Sequence, residues 1–257
     1  MIRIVRAELI KLKRYYILWA GVVLMLLSVV LTLFTSMAND GSVWDFTYLI
    51  EQVIKNNMST IFPMCITLIT GYIIAREQKD DTLKNIKVIP ISYRKLLFGK
   101  LLVCSFIAVL LGVVCTLFTV VAEILVKFPG FSMQLVGQAL IQITLNCLLL
   151  YIAVLPVIIL TSRLSNGYMI GAILSFVYGY GGMFAAGSMT LANIYPITAS
   201  LGLINYRSYD SAVRWNGSIC IMSLIVIIAF STILLLTSKE SKWKKKEKKQ
   251  RVLKKGW

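Results

Sequence analysis

Residues 101–122 read LLVCSFIAVLLGVVCTLFTVVA and contain no charged side chain. A helix needs about 20 mainly apolar residues to cross the hydrocarbon core of a bilayer, so this stretch is long enough for one crossing. A charge at the core centre costs about 2.5–3.5 kcal/mol, which favours charge-free stretches of this length. Five further stretches lack Asp, Glu, Lys and Arg, namely Tyr15–Asn39, Asn56–Ala75, Phe128–Ser162, Leu164–Tyr206 and Trp215–Ser238. The sequence therefore predicts an all-α integral membrane protein with six transmembrane helices.

These stretches predict a single transmembrane domain over residues 1–257. Residues 1–16 alternate apolar and basic side chains at helical spacing, which predicts an N-terminal amphipathic interfacial helix. The fifth charge-free stretch has 43 residues and contains Pro196, so we expect one span and then a re-entrant, interrupted segment before span 6. The predicted spans are residues 17–37, 57–75, 101–125, 135–161, 167–187 and 217–237, with a polybasic cytoplasmic tail over 238–257.

Composition excludes several classes of protein. Hydrophobic residues make up 58% of the 257 residues and charged residues 15%, against about 45–50% and about 25% in soluble domains. This excludes a soluble globular domain, a disordered chain and a disulfide-stapled mini-protein. The chain has no His, which excludes His-based acid–base catalysis and zinc ligation by His. The five Cys form no CxxC and lie in apolar runs, so we expect buried, unpaired thiols and no metal site.

Basic residues are concentrated between alternate spans of this chain, whose net charge is +16. With six spans, 23 of the 27 Lys and Arg residues fall on the side that carries both termini. The positive-inside rule then places both termini in the cytoplasm of a multi-pass membrane protein. Because the positive charges lie between hydrophobic runs, their expected partners are membrane lipids and not nucleic acid.

The longest segment between two spans is Arg76–Lys100, which reads REQKDDTLKNIKVIPISYRKLLFGK. A linker between two helices needs only a few residues, but this pattern predicts a short helix, Asp81–Val88, ahead of Pro90. Its apolar residues Leu83 and Ile86 stand beside a charged rim. Two interpretations stay open, namely that the helix binds a cytoplasmic partner or that the segment is only a solvated, positively charged loop.

The same segment carries a family resemblance. Glu77 is followed by Thr82-Leu83, by the run PISYRKL at 90–96, and by Gly99-Lys100 before the third span. This order resembles the cytoplasmic loop of type-2 ABC transporter permeases, which reads roughly E-xxxx-TL, then P[IV]S-R, then GK. The other features, from the N-terminal helix to the interrupted segment before span 6, come in a similar order. The chain length and the ELIKLKR start resemble the bacitracin and lantibiotic resistance branch of that family.

The resemblance implies a cytoplasmic coupling helix between spans 2 and 3, Thr82–Val88, which docks on a separate ABC ATPase subunit. The ATPase-coupling residues that it implies are Glu77, Thr82, Leu83, Ile86, Val88 and Pro90. Lys84 departs from the family pattern, because many members carry Glu at that position. The resemblance also implies a second permease copy or a sister permease as a partner. It further implies export of a hydrophobic or amphipathic compound such as a peptide antibiotic, and a role in antibiotic resistance or lantibiotic immunity.

No phosphate-binding loop of the form GxxxxGK[ST] occurs in the sequence. The chain is therefore predicted to be a transport subunit without its own nucleotide-binding domain, and not an enzyme. We expect no cofactor in this chain, and ATP and Mg on the partner subunit.

A polar stripe follows one face of span 4. Its members recur every fourth residue and are Gln134, Gln138, Gln142 and Asn146. Amides that face lipid are costly, so this face is expected to meet another helix or a wet path. The sequence leaves open whether the stripe forms interhelical hydrogen bonds or lines the substrate path.

Small residues form a second stripe, on span 5, made of Gly167, Gly171, Ser175 and Gly179. Such a face lets two backbones approach closely, either within the molecule or against a second permease copy. At the end of span 3, Glu123 and Lys127 stand one helical turn apart, and we expect them to form an ion pair.

Three other classes of function remain as alternatives. A membrane-embedded enzyme is disfavoured because the chain has no His and no paired carboxylates within its spans. An ATP-independent channel or transporter usually carries charges near the bilayer midplane, which these spans lack. A membrane sensor or docking protein would use the same cytoplasmic helix without moving a substrate, and the sequence does not separate it from a permease.

Overall fold

The computed structural model describes residues 2–12, 15–37, 44–79, 93–164 and 167–238. Their secondary structure is helical, with a single π-helical turn at Asn57–Ile61 and no strand in these ranges. The helices are α1 (Ile2–Leu12), α2 (Ile17–Ser36), α3 (Phe46–Asn56), α4 (Phe62–Lys79), α5 (Tyr93–Val126), α6 (Met133–Thr161), α7 (Gly167–Ala185), α8 (Met189–Ile194), α9 (Pro196–Leu203) and α10 (Gly217–Thr237).

Six helical runs are long and apolar enough to cross a membrane, namely α2, the continuous α3–α4 run, α5, α6, α7 and α10. The predicted all-α integral membrane fold with six spans is thereby confirmed. Successive spans run in opposite directions, so one end of the bundle carries α1 and the other carries α9. These are called the α1 end and the α9 end below.

The second span begins earlier than the sequence indicates. Its helix starts at Phe46 instead of residue 57, and the Asp45 carboxylate accepts a hydrogen bond from the Tyr48 N–H at 2.6 Å, which caps the helix. Counting charge-free residues placed the start too late, because Glu51 and Lys55 interrupt the run. The structure accommodates Glu51 by pairing its charge with Arg207, while the apolar face of α3 is buried.

The π-helical turn at Asn57–Ile61 lies inside this second span. Such single turns are rare within α-helices and change which face each following residue presents. Two adjacent amides point to different helices here. The Asn56 amide donates to Thr32 Oγ1 of α2 at 2.8 Å, and the Asn57 amide lies 3.1 Å from Cys115 Sγ of α5. The turn thus joins span 2 to both α2 and α5.

The segment between spans 5 and 6 is interrupted, as predicted. Helices α8 and α9 meet at Tyr195, whose backbone is extended (φ −72°, ψ 123°), and Pro196 opens α9. Proline suits this position because the first helical residue needs no N–H partner. Helix α9 is almost wholly buried and packs against α6, α7 and α10. Irregular backbone is therefore covered by protein.

Candidate functional site

Most of the coupling residues implied by the resemblance lie outside the described residues. These are Thr82, Leu83, Ile86, Val88 and Pro90. Glu77 lies in the last turns of α4. Residues 80–92 connect the ends of α4 and α5, at Lys79 and Tyr93, and both of these residues belong to the α1 end.

A buried ion pair fastens α1 to the start of α5 at this end. The Glu8 carboxylate accepts hydrogen bonds from Lys100 Nζ and from Lys11 Nζ, both at 2.8 Å, and Glu8 and Lys100 are each only 3% exposed. Burial raises the pKa of Glu8, but the two ammonium groups outweigh burial, so the pKa lies below its ordinary value. Gly99 permits the close approach, since a Cβ there would lie 2.7 Å from Ile4 Cγ2.

The C-terminal end of α10 is held at the same end of the bundle by two arginines. Arg163 donates from Nη2 to the Leu234 carbonyl at 2.7 Å and to Thr237 Oγ1 at 3.2 Å. Arg94 lies 3.5 Å from the Ser238 carbonyl. Cations at a helix C-terminus satisfy its free carbonyls and oppose its negative dipole end. Arg163 therefore fastens the end of span 4 to the end of span 6.

The polar stripe of span 4 faces α9 and the turn that follows it. Gln134 and Gln138 are exposed, Gln142 is half-buried and Asn146 is buried. The Gln142 amide donates to the Ile204 carbonyl at 3.1 Å, and Ser200 Oγ lies 3.0 Å from Asn146 Oδ1. The inner half of the stripe thus makes interhelical hydrogen bonds, while the outer half is open to the surroundings.

A cavity of about 350 Å³ opens beside this outer half, between α3, α6 and the turn at residues 204–209. Its polar lining side chains are Thr47, Glu51, Gln138, Gln142, Asn205, Tyr206, Arg207, Ser208 and Tyr209. Two residues of the predicted stripe, Gln138 and Gln142, therefore line a cavity whose volume is at the lower end of the range for ligand pockets.

Glu51 holds the turn that forms one wall of this cavity. Its buried carboxylate lies 2.6 Å from Arg207 Nε and also accepts a hydrogen bond from the Tyr209 hydroxyl. The Tyr206 hydroxyl donates to the Glu51 carbonyl at 3.3 Å. Desolvation and the carboxylate raise the pKa of Tyr209 to about 12. Asn205 and Arg207 adopt left-handed backbone angles (φ 53° and 49°), so these contacts hold a turn that is costly for residues other than glycine.

The small residues of span 5 face span 2. Thr67 Oγ1 lies 2.7 Å from Ser175 Oγ, and a Cβ at Gly171 would lie 3.1 Å from Thr67 Cγ2 of α4 as well as 2.7 Å from Thr161 Oγ1 at the end of α6. A Cβ at Gly179 would lie 2.6 Å from the Ser59 carbonyl oxygen. Gly167, at the start of α7, is also buried. The stripe therefore serves a contact within the molecule, where α7 lies against α4 and the π-helical turn.

The expected ion pair between Glu123 and Lys127 is wrong. No bridge joins these two described residues, and Glu123 Oε2 is buried without a hydrogen-bond partner. Lys127 adopts a left-handed backbone (φ 59°) because the helix ends at Val126. The Lys127 side chain therefore does not follow the i,i+4 geometry of a continuous helix.

The described residues contain no group of three or more His, Cys, Asp or Glu that could hold a metal ion. All five thiols are buried and free, as expected from their apolar surroundings.

Sequence reasoning missed Glu51 with Arg207 and Glu8 with Lys100. The first pair joins residues far apart in the chain, and no local pattern reports such a contact. A signal for the burial of Glu51 does exist, because Phe46, Leu49, Ile50, Val53 and Ile54 follow a helical period around it.

The comparison with known proteins identifies the family. The family model described as ABC-2 family transporter protein matches residues 4–182, which is more than half of the chain and includes spans 1 to 4 and the segment 80–92. No curated protein matches the chain. The chain thus belongs to the ABC-2 transporter family, whose members are membrane permeases without a nucleotide-binding domain of their own that work with an ABC ATPase.

Proposed function

We propose that this permease exports a hydrophobic or amphipathic compound, with a peptide antibiotic as the favoured substrate, and so serves antibiotic resistance or lantibiotic immunity. The observation that carries the proposal is the family match, since it spans the segment between α4 and α5 where a coupling helix is expected. The open polar cavity at the α9 end adds a place for the polar part of such a compound.

The proposed energy source is a separate ATPase subunit, which holds ATP and Mg. The helix Thr82–Val88 docks on it, with Glu77 before it and Pro90 after it. Movement of this helix pulls on α4 and α5, because residues 80–92 join them directly. Helix α4 packs against α7, and α5 packs against α6 and α2, so the displacement reaches three further spans through tight contacts. The Glu8–Lys100 pair makes α1 move with α5.

In the proposed orientation the α1 end faces the cytoplasm of a bacterial cell and the α9 end faces outward. The support is the distribution of basic residues, since 23 of 27 belong to the side of α1 and the tail. A second permease copy or a sister permease completes the assembly with two ATPase subunits. Apolar side chains on α2 and α10, such as Trp19, Phe34 and Leu236, are exposed and form a surface that a second copy can contact.

The test is the double variant Leu83→Asp/Ile86→Asp, in cells and in purified complexes. We expect loss of ATPase co-purification and of ATP-driven export by at least tenfold, because two charges enter an apolar docking face. Leu164→Asp is the matched control, since Leu164 is an exposed apolar residue in the loop after α6 at the same end of the bundle. It should leave both measurements unchanged.

Two results would contradict the proposal. If the wild-type chain works with no ATPase bound, an ATP-independent channel or transporter takes its place. If an ATPase binds but no substrate moves on hydrolysis, the chain is a membrane sensor or docking protein.

A further inference from the structure

The polar stripe of span 4 already binds a stretch of polypeptide in this structure. The Gln142 amide holds the main-chain carbonyl of Ile204 at 3.1 Å, and one turn deeper Asn146 pairs with Ser200. The chain from Ser200 to Ile204 therefore lies along the stripe. One turn further out, Gln138 lines the cavity, is exposed, and makes no hydrogen bond with any group of the described ranges.

The other free groups in the cavity are also uncharged. Thr47, Asn205 and Ser208 line it, and no hydrogen bond of their side chains occurs within the described part of the chain. Together with Gln138 they present both donors and acceptors. A ligand that matches them carries donors and acceptors in alternation, as amide groups do.

Charge in the cavity is neutralised internally. Among the described residues that line it, the charged ones are Glu51 and Arg207, and they are joined at 2.6 Å. A charged ligand group would have to compete with this pair, and burying an unpaired charge is costly. The cavity thus favours an uncharged segment, and its volume of about 350 Å³ admits only a short one.

We propose that the cavity at the α9 end binds an uncharged stretch of peptide main chain, with Gln138 continuing outward the amide contact that Gln142 makes to Ile204. This inference rests on the proposed export function and names the part of the substrate that this site recognises. Tyr209, 70% exposed at the rim, offers an aromatic face to an adjoining side chain.

The experiment uses the full-length permease in lipid nanodiscs, with its ATPase where one co-purifies, and without nucleotide. The probe is trialanine with acetylated and amidated ends, and its dissociation constant is measured by saturation-transfer NMR titration. Gln138→Leu should weaken binding about five- to tenfold, since it removes one or two hydrogen bonds to the ligand. Gln134→Leu is the matched control on the same helix, because Gln134 is exposed and does not line the cavity.

Ligand variants test the same contact from the other side. N-methylated trialanine, in which the alanine N–H donors are replaced by N–CH3, should bind the wild type at least fivefold more weakly than trialanine does. The difference between the two peptides should be smaller for the Gln138→Leu variant. Equal binding of trialanine to the wild type and to the Gln138→Leu variant, or of the N-methylated and parent peptides to the wild type, overturns the inference. Maltotriose that binds as tightly as trialanine, with the same dependence on Gln138, overturns the assignment to peptide in favour of sugar hydroxyls.

These outcomes are separate from those of the proposed function. Binding that depends on Gln138 in a chain that engages no ATPase contradicts the export proposal alone. Binding that ignores Gln138 in a complex that couples to its ATPase contradicts the inference alone.

Discussion

Glu51 decides how the turn at the α9 end is held. Its carboxylate is buried and is satisfied by the guanidinium of Arg207 and the hydroxyl of Tyr209, while Tyr206 binds its carbonyl. A buried carboxylate without partners would be strongly unfavourable, so the contacts from Arg207 and Tyr209 are a condition of its burial. Because Asn205 and Arg207 have left-handed backbones, we expect the turn to rearrange when these contacts are lost.

Glu51→Gln should therefore lower stability by about 1–2 kcal/mol, less than for a fully buried pair because Arg207 is one-third exposed. The measurement is the thermal unfolding temperature in nanodiscs. Asp210→Asn is the control, since that carboxylate binds only the Ala212 N–H within its own turn. Adding Arg207→Gln to Glu51→Gln should recover part of the loss. A double variant that is less stable than the sum of the single ones would contradict this account.

The contact between α4 and α7 depends on small side chains. At Gly179 the obstacle to a larger residue is a backbone atom, the Ser59 carbonyl oxygen, which cannot rotate away as a side chain can. Thr67 and Ser175 add a hydrogen bond on the same face. A larger residue on this face would therefore push α7 away from span 2.

Gly179→Ala is expected to destabilise the protein by about 1–3 kcal/mol, the usual cost of overpacking. Gly137→Ala provides the control, because Gly137 lies within α6 with open space around its Cα. That change should leave the unfolding temperature unchanged or raise it, since Ala favours a helix by up to about 1 kcal/mol over Gly. Equal effects of the two substitutions would mean that α4 and α7 do not pack as described.

Helix α1 is held on α5 by a pair whose strength depends on pH. The pKa of Glu8 is lowered in the folded protein, so its contribution is present above the unfolded value of about 4.3 and is lost as pH falls through the folded value. We expect the unfolding temperatures of the wild type and of Glu8→Gln to differ most at pH 6–7 and to converge toward pH 3. Thermal scans across this range check it, and a gap that stays constant with pH would count against the ion pair.

Across the molecule, the sequence predicts what the bilayer itself imposes. Six charge-free stretches yield six spans because a helix must satisfy its backbone internally and keep charge out of lipid. Pro196 likewise predicts the break before α9, because proline has no backbone N–H to continue the preceding helix. Half of the candidate site was foreseen, since the spacing of Gln138 and Gln142 marks one face of one helix. The turn opposite them was not, because Glu51 and Arg207 meet only through the tertiary fold.

The π-helical turn at Asn57–Ile61 sets the phase of span 2 on either side of it. Removing one residue there would restore ordinary winding and rotate α3 against α4 by about 100° about the common axis. Glu51 would then swing away from Arg207 even though neither side chain had changed. The rotational alignment of α3 with α4 thus depends on one additional residue in the π-helical turn. The number of residues in this turn is therefore less free to vary than their identity.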